Sequence, residues 1–172
     1  KSRSGEEGFR FGLQGVLSDS TVTVSMFPEN PTFGSRQWSV NPDNHIVYHI
    51  GKDIHADFLL THDNQRVSLR TTDHTEHGPL ALDIAGIDIG KTLALFPTPP
   101  PIDGRFDTHI VLQQDTTGTS LEVGGNVNVT DLQYDKRRVG AIGLGFDYRM
   151  EKGSGQQFDA KLSLDSTEVL SA

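Results

Sequence analysis

The sequence predicts an all-β protein dominated by antiparallel strands with one apolar face. Three observations carry this. From Leu121 to Val129 the odd positions include Leu121, Val123, Val127 and Val129, while Glu122, Gly124, Asn126 and Asn128 fill the even ones. From Ile142 to Met150 the even positions read Ile142, Leu144, Phe146, Tyr148 and Met150, with Gly143, Gly145, Asp147 and Arg149 between them. The chain also carries 18 Gly and 8 Pro, as a protein of many turns requires. Side chains alternate between the two faces of a strand, so each run makes one greasy face and one wet face. That greasy face either closes into a sandwich core or lines a groove for an apolar ligand.

The strands follow in order. The first is expected near 8–17, with Phe9, Phe11 and Leu13 on one face, and Asp19-Ser20 turns it into a second carrying Val22, Val24 and Met26. Pro28, Asn30 and Pro31 are expected to interrupt the sheet. Trp38 and Val40 mark a short strand, and Asn41-Pro-Asp-Asn44 reads as a turn. Ile46, Tyr48 and Ile50 then alternate with His45, Val47 and His49, and Ala56, Phe58 and Leu60 form the next strand. Asp63-Asn64 is a hairpin turn into Val67 and Leu69, and Leu80, Leu82 and Ile84 begin another strand. Ile89, Leu93 and Phe96 are spaced three or four apart, which predicts a short amphipathic helix over 89–96 after Asp88, ended by Pro97 and a stiff Pro97-Thr-Pro-Pro-Pro101 stretch. Strands resume with Phe106, Ile110 and Leu112, then 121–129, 139–150, Phe158 to Leu164, and Val169. The expected organisation is a β segment over 1–88 with about seven strands, a helix and Pro-rich connector over 89–101, and a second β segment over 102–172 with about five. Residues 1–7 are polar and expected to fray. Leu162 to Leu170 resembles Leu59 to Leu69, each an apolar strand, an Asp-led turn and another apolar strand; this is either a repeat or the common form of any hairpin.

Composition narrows the function. The 172 residues are 34% hydrophobic and 22% charged, with a formal net charge of −8. That balance argues against nucleic acid and against a basic patch docking on anionic headgroups. There is no Cys, so disulfides, thiolate zinc and cysteine nucleophiles are excluded. No apolar run is long enough for a transmembrane helix. The chain opens on Lys1-Ser-Arg and stops at Val169-Leu-Ser-Ala, inside what reads as a strand, so an internal piece of a longer protein is expected.

The sequence carries no complete catalytic or metal-binding pattern. His45 and His49 share a strand face, and His74-Thr-Glu-His77 groups three potential ligands, but no H-E-x-x-H helix holds them, and surface turn histidines are the expected reading. Gly140, Gly143 and Gly145 are in the wrong order for a nucleotide loop and are read as strand glycines on the wet face. There is no G-x-S-x-G elbow, and Asp57 and Asp63 read as surface and turn residues. The expectation is a binding module that is not an enzyme, with no cofactor and no metal. Asp19-Ser20-Thr21, Asp115-Thr116-Thr117 and Asp165-Ser166-Thr167 look like short O-glycosylation acceptors, and equally like ordinary turn chemistry.

Pro79-Leu-Ala-Leu-Asp-Ile-Ala-Gly-Ile-Asp-Ile-Gly-Lys-Thr-Leu-Ala-Leu-Phe-Pro97, followed by Ile102-Asp-Gly104, resembles the TamB/AsmA-like family of bacterial envelope proteins. Val127 to Tyr134 and Arg138 to Tyr148 also resemble TamB of the Bacteroidetes type, and the likeness lies in the order of the signals. The resemblance implies an elongated, curved, taco-like β-groove with an apolar interior. It implies a periplasmic segment of an inner-membrane-anchored protein that carries phospholipid toward the outer membrane and supports outer-membrane biogenesis and protein secretion. A TamA-like barrel would be a partner of other parts of such a parent. The lipid-lining candidates are Phe106, Ile110, Leu112, Leu121, Val123, Val127, Val129, Ile142, Leu144, Phe146, Tyr148, Phe158, Leu162 and Leu164. An acyl chain leaves water only for a continuous apolar path, at about 0.8 kcal/mol per methylene. The 89–96 helix would either plug the groove end or cap a sheet edge. Two other readings stay open: a scaffold for outer-membrane proteins acting by β-augmentation, and a closed β-sandwich serving as an adhesin or carbohydrate-binding domain. An open groove in isolation is also expected to self-associate through its exposed apolar surface.

Overall fold

The computed structural model describes residues 8–72, 78–115, 119–165 and 167–171. Its strands are β1 (Phe9–Ser18), β2 (Thr21–Phe33), β3 (Arg36–Gln37), β4 (Ser39–Val40), β5 (His45–His49), β6 (Ile54–His62), β7 (Gln65–Thr71) and β8 (Leu80–Asp88). A helix, α1 (Ile89–Leu93), separates these from β9 (Ile102–Gln114), β10 (Ser120–Tyr134), β11 (Arg137–Glu151), β12 (Gly155–Leu164) and β13 (Thr167–Ser171). All strands belong to one 13-stranded sheet, ordered β1-β2-β5-β6-β7-β8-β9-β10-β11-β12-β13, with β3 on β2 and β4 on β6. The paired strands are antiparallel and follow chain order, so the sheet is an open meander with β1 and β13 at its edges. A second sheet packed on the first, as a closed sandwich needs, is not present among the described residues. The sheet is also continuous across the connector, because β8 pairs β9 directly.

Tight hairpins set the rhythm. Asp19, Asp63, Asp135 and Asp165 each take the first turn position, with φ of 48, 50, 49 and 46°. Asp tolerates this left-handed conformation better than most residues. The β6–β7 and β12–β13 hairpins thus share an Asp-led turn, which is the likeness seen in the sequence.

Two expected breaks have particular forms. β2 runs through Pro28, Asn30 and Pro31 instead of stopping there. The register with β1 jumps from Gly12↔Phe27 to Arg10↔Thr32, so the Pro segment bulges out and pairing then resumes. Pro31 is fully buried. The Asn41–Asn44 segment is the expected turn, closed by the Asn44 N–H on Asn41 O at 3.1 Å, but it lies within one lane and does not join two. β3 and β5 both pair β2, and β4 and β5 both pair β6, so β3, β4 and β5 are pieces of one lane. At the break, side-chain amides replace the missing ladder. Asn44 Oδ1 accepts from the Met26 N–H at 2.7 Å, and its Nδ2 donates to Met26 O at 3.1 Å. On the other flank Asn41 Oδ1 accepts from the Leu59 N–H at 2.8 Å, and Nδ2 donates to Asp57 O at 3.2 Å. Each carboxamide does for its neighbour what a peptide group would do.

The helix is shorter than 89–96, ending at Leu93. Asp88 caps it, accepting from the Lys91 N–H at 2.8 Å. It continues in the lane of β8 and lies beside Asp103 and Gly104, where β9 overhangs the last β8 pair, Asp88↔Arg105. It therefore covers a local edge inside the sheet, not the outer edges. Past the helix, Leu95 lies against Gly34, at a point where a Cβ would overlap it. Four lane spacings of about 4.8 Å separate β2 from β8 in a flat sheet. The contact, with Arg36 close enough to act on the Asp88 carboxyl, reflects a sheet that curls toward the connector.

Candidate apolar binding face

Register sorts the side chains of this sheet, because directly paired residues share a face. One row runs Val24↔Ile46↔Ala56 and continues through Thr71↔Leu80↔Leu112↔Val123↔Tyr148↔Phe158. The next runs Phe58↔Leu69↔Leu82↔Ile110↔Gly125↔Phe146↔Ala160. A third runs Leu60↔Val67↔Ile84↔Thr108↔Val127↔Leu144↔Leu162. A fourth runs Ile87↔Phe106↔Val129↔Ile142↔Leu164, and Leu121 pairs Met150 at the opposite end. All fourteen candidates named from the sequence therefore lie on one face. The face also extends across β2 to β8, which the candidate set did not include. The alternation of Val22, Val24 and Met26 and of Phe58 and Leu60 already carried that signal.

Two threonines in the interior of this face spend their hydroxyls internally. Thr108 is buried, and its hydroxyl donates to Asn126 O at 2.6 Å. Thr71 Oγ1 accepts from the Ala56 N–H at 3.0 Å. Both therefore present mainly methyl groups. Gly125 interrupts the second row because β9 comes too close there for a side chain: a Cβ would stand 2.8 Å from Ile110 Cα and overlap His109 O.

Among the described residues no second layer lies over the apolar face. Burial is confined to the part before the helix, where Val40, Ala56 and Leu60 are buried on this face and Ala81 on the opposite one. In the β9–β12 half, Leu112 and Leu144 are each 37% exposed, Leu164 43% and Phe158 59%. The other candidates are half-buried by their neighbours in the sheet. From β6 to β12, six spacings of about 4.8 Å give a row about 29 Å long, close to the roughly 30 Å hydrocarbon depth of a bilayer. Toward β1 the apolar surface ends in an aromatic train. Phe11 and Phe33 lie 5.0 Å apart, Phe33 and Trp38 6.3 Å, and Trp38 and His62 5.3 Å.

The opposite face is wet and cross-linked by polar and charged side chains. Asp57 pairs Arg70 at 3.1 Å, Asp83 pairs His109 at 2.7 Å, and Glu122 pairs Arg149 at 3.6 Å. Such pairs add little stability but hold strand register. Gly143 and Gly145 do lie on this face, whereas Gly140 is buried at the bulge in β11 with the Asp165 carboxylate over it. Asp63 stands in its turn, 3.4 Å from His62. His45 stacks on His55, and His49 bonds Asp53 at 2.7 Å, so these two histidines hold separate partners. His74 and His77 lie outside the described residues, as do Thr116, Thr117 and Ser166 of two Asp-Ser/Thr motifs. Among the described residues no group of three His, Asp or Glu is placed to hold a metal. Comparison of the chain with protein-family models, with curated proteins and with solved structures finds no match.

Proposed function

We propose that this chain is a lipid-binding groove segment of the TamB-like kind, taking acyl chains of phospholipid on the apolar face of its sheet. The observation that carries the reading is one continuous apolar face across the meander, half-exposed and without a second layer. About ten methylenes laid on such a face contribute about 8 kcal/mol before ordering costs. Among the described residues the interior of the face carries no charged anchor, so binding selects for chain hydrophobicity and permits sliding. A periplasmic setting, a parent anchored in the inner membrane, transport toward the outer membrane and a TamA-like barrel partner belong to the same proposal and rest on the sequence resemblance. The reaction class is binding and transfer without covalent chemistry.

Native mass spectrometry of the purified chain, with the bound lipids extracted and identified, tests this beside Leu144→Asp/Phe146→Asp. Phospholipid on the wild type and none on the folded variant is the expected result. A wild type free of lipid, with a variant that unfolds, would make the face an ordinary packing surface.

One observation favours a second reading. β1 is a ten-residue edge strand with one neighbour, and Leu13, Val16 and Leu17 are 60%, 50% and 71% exposed. Long apolar edges accept further strands. A scaffold of this kind would bind extended peptides, and Gln14→Pro would abolish that binding while Leu144→Asp/Phe146→Asp would not.

A further inference from the structure

We propose that the chain forms a twofold dimer by pairing β1 with β1 of a second copy. The backbone of β2 shows which groups of β1 remain open. The Ile50 N–H donates to Ser20 O, and Asn44 bonds both backbone groups of Met26, so the even positions of β2 bond away from β1. Its odd positions therefore bond β1, and their partners are Ser18, Val16, Gln14 and Gly12. Leu13, Gly15 and Leu17 lie between these and turn N–H and C=O outward, with no partner strand among the described residues. Residues 13–18 are all exposed, and none is charged or Pro, so the usual protections of an edge are missing there. The other edge, β13, is only five residues long.

The strand is complementary to itself. Over residues 9–20 the charged side chains are Arg10 at one end and Asp19 at the other. Two antiparallel copies bring Arg10 of each to the end where Asp19 of the other stands, which favours a second copy over an arbitrary peptide. With the twofold at Gly15, Leu13 faces Leu17 of the second copy and Gly15 faces its counterpart, and each of these pairs exchanges two hydrogen bonds. Gly12 is accounted for inside the chain, because the Phe27 ring occupies the place of its Cβ, whereas a Cβ on Gly15 would meet nothing within 4 Å. Glycine inside a strand often marks the approach of another backbone. β1 and β2 carry one Arg and one Glu between them, so the acidity of the chain lies away from the seam. Positions 13, 15 and 17 share the face of Val24, so the pairing joins two apolar faces into one surface. The dimer goes beyond the lipid-binding reading and does not depend on it.

Sedimentation equilibrium over a range of concentrations tests it. The wild type is expected to rise from the 18.8 kDa chain mass toward twice that mass. Leu13→Lys/Leu17→Lys and Leu13→Glu/Leu17→Glu are each expected to stay monomeric, and their equimolar mixture to dimerise, because every Lys then faces a Glu. Gly15→Cys, in a chain without Cys, is expected to cross-link on mild oxidation, since directly paired Cα atoms lie about 5.5 Å apart. Gly145→Cys, equally free of contacts, is expected not to. A monomeric wild type, a monomeric mixture, or equal cross-linking of the two cysteine variants overturns the proposal. Dimers that survive the lysines and are lost in Leu144→Asp/Phe146→Asp would assign the contact to the apolar face and refute pairing through β1. A monomer that binds extended peptides along β1 would refute it in favour of the scaffold. The lipid content of the same samples tests the groove reading separately.

Discussion

Replacing Asn44 by alanine should be among the most damaging single changes in this protein. Asn44 is 6% exposed, yet its side chain makes three hydrogen bonds: from the Met26 N–H, to Met26 O, and to Asn41 O at 2.9 Å. Alanine removes all three and leaves both backbone groups of Met26 facing a gap in the lane. A backbone group stranded in a part-buried site costs about 1–3 kcal/mol. Water reaching one of the two reduces the sum, so about 3 kcal/mol is expected for Asn44→Ala. Domains of this size hold only about 5–15 kcal/mol in total. Denaturant unfolding followed by far-ultraviolet circular dichroism measures the change, read as a shift in midpoint at unchanged slope. Asn41→Ala is the companion variant, losing the bonds to Leu59 and Asp57. Because Asn44 also bonds the Asn41 backbone, the double variant should cost less than the sum of the two. An Asn44→Ala protein within about 0.5 kcal/mol of the wild type would refute the idea that carboxamides stand in for the ladder.

Two glycines on opposite faces should respond oppositely. Gly125→Ala pushes a methyl into the β9 backbone and is expected to cost about 2–4 kcal/mol, whereas Gly145→Ala meets nothing within 4 Å and should be neutral or slightly stabilising, both read by thermal unfolding. Asp88 gives a pH dependence. Burial pushes its carboxyl up, but the Lys91 N–H and ammonium, with Arg36, outweigh that and hold it below its ordinary value. A lowered carboxyl stabilises the fold above the unfolded value of about 3.9, and that contribution is lost as pH falls through the lower folded value. Protection of the Lys91 and Ala94 amides should therefore fall in that acid window, and in Asp88→Ala, which removes the cap, it should already be low at neutral pH.

The sheet was legible because antiparallel strands with one wet face write their period directly into the sequence, as at 121–129 and 142–150. The apolar parity of those two runs matches their register, Val123↔Tyr148 and Val127↔Leu144. What lies above the face was not legible, since a sandwich core and an open groove use the same Val, Leu, Ile and Phe. Asn41-Pro-Asp-Asn44 has turn chemistry locally, and its amides act on Leu59 and Met26, 18 residues away in either direction. Pro28 and Pro31 signal a break correctly, but only the register with β1 shows that pairing resumes at Thr32. The helix pattern was read too long because Phe96 fits the spacing, although it lies beyond the helix and is 60% exposed.

The strict chain-order meander also bears on how such a protein is made and lengthened. Each strand finds its partner next to it in the sequence, so the sheet can assemble progressively from one hairpin to the next, with low loop-closure cost at each step. A hairpin could be added to or removed from such an arrangement without altering the pairing of the strands beyond it, much as repeats are gained and lost in solenoids. Leu95 on Gly34 is a contact of another order, linking lanes that are not neighbours. It gives an otherwise uniform ribbon a fixed landmark, a position that addition or loss of hairpins elsewhere would leave in place.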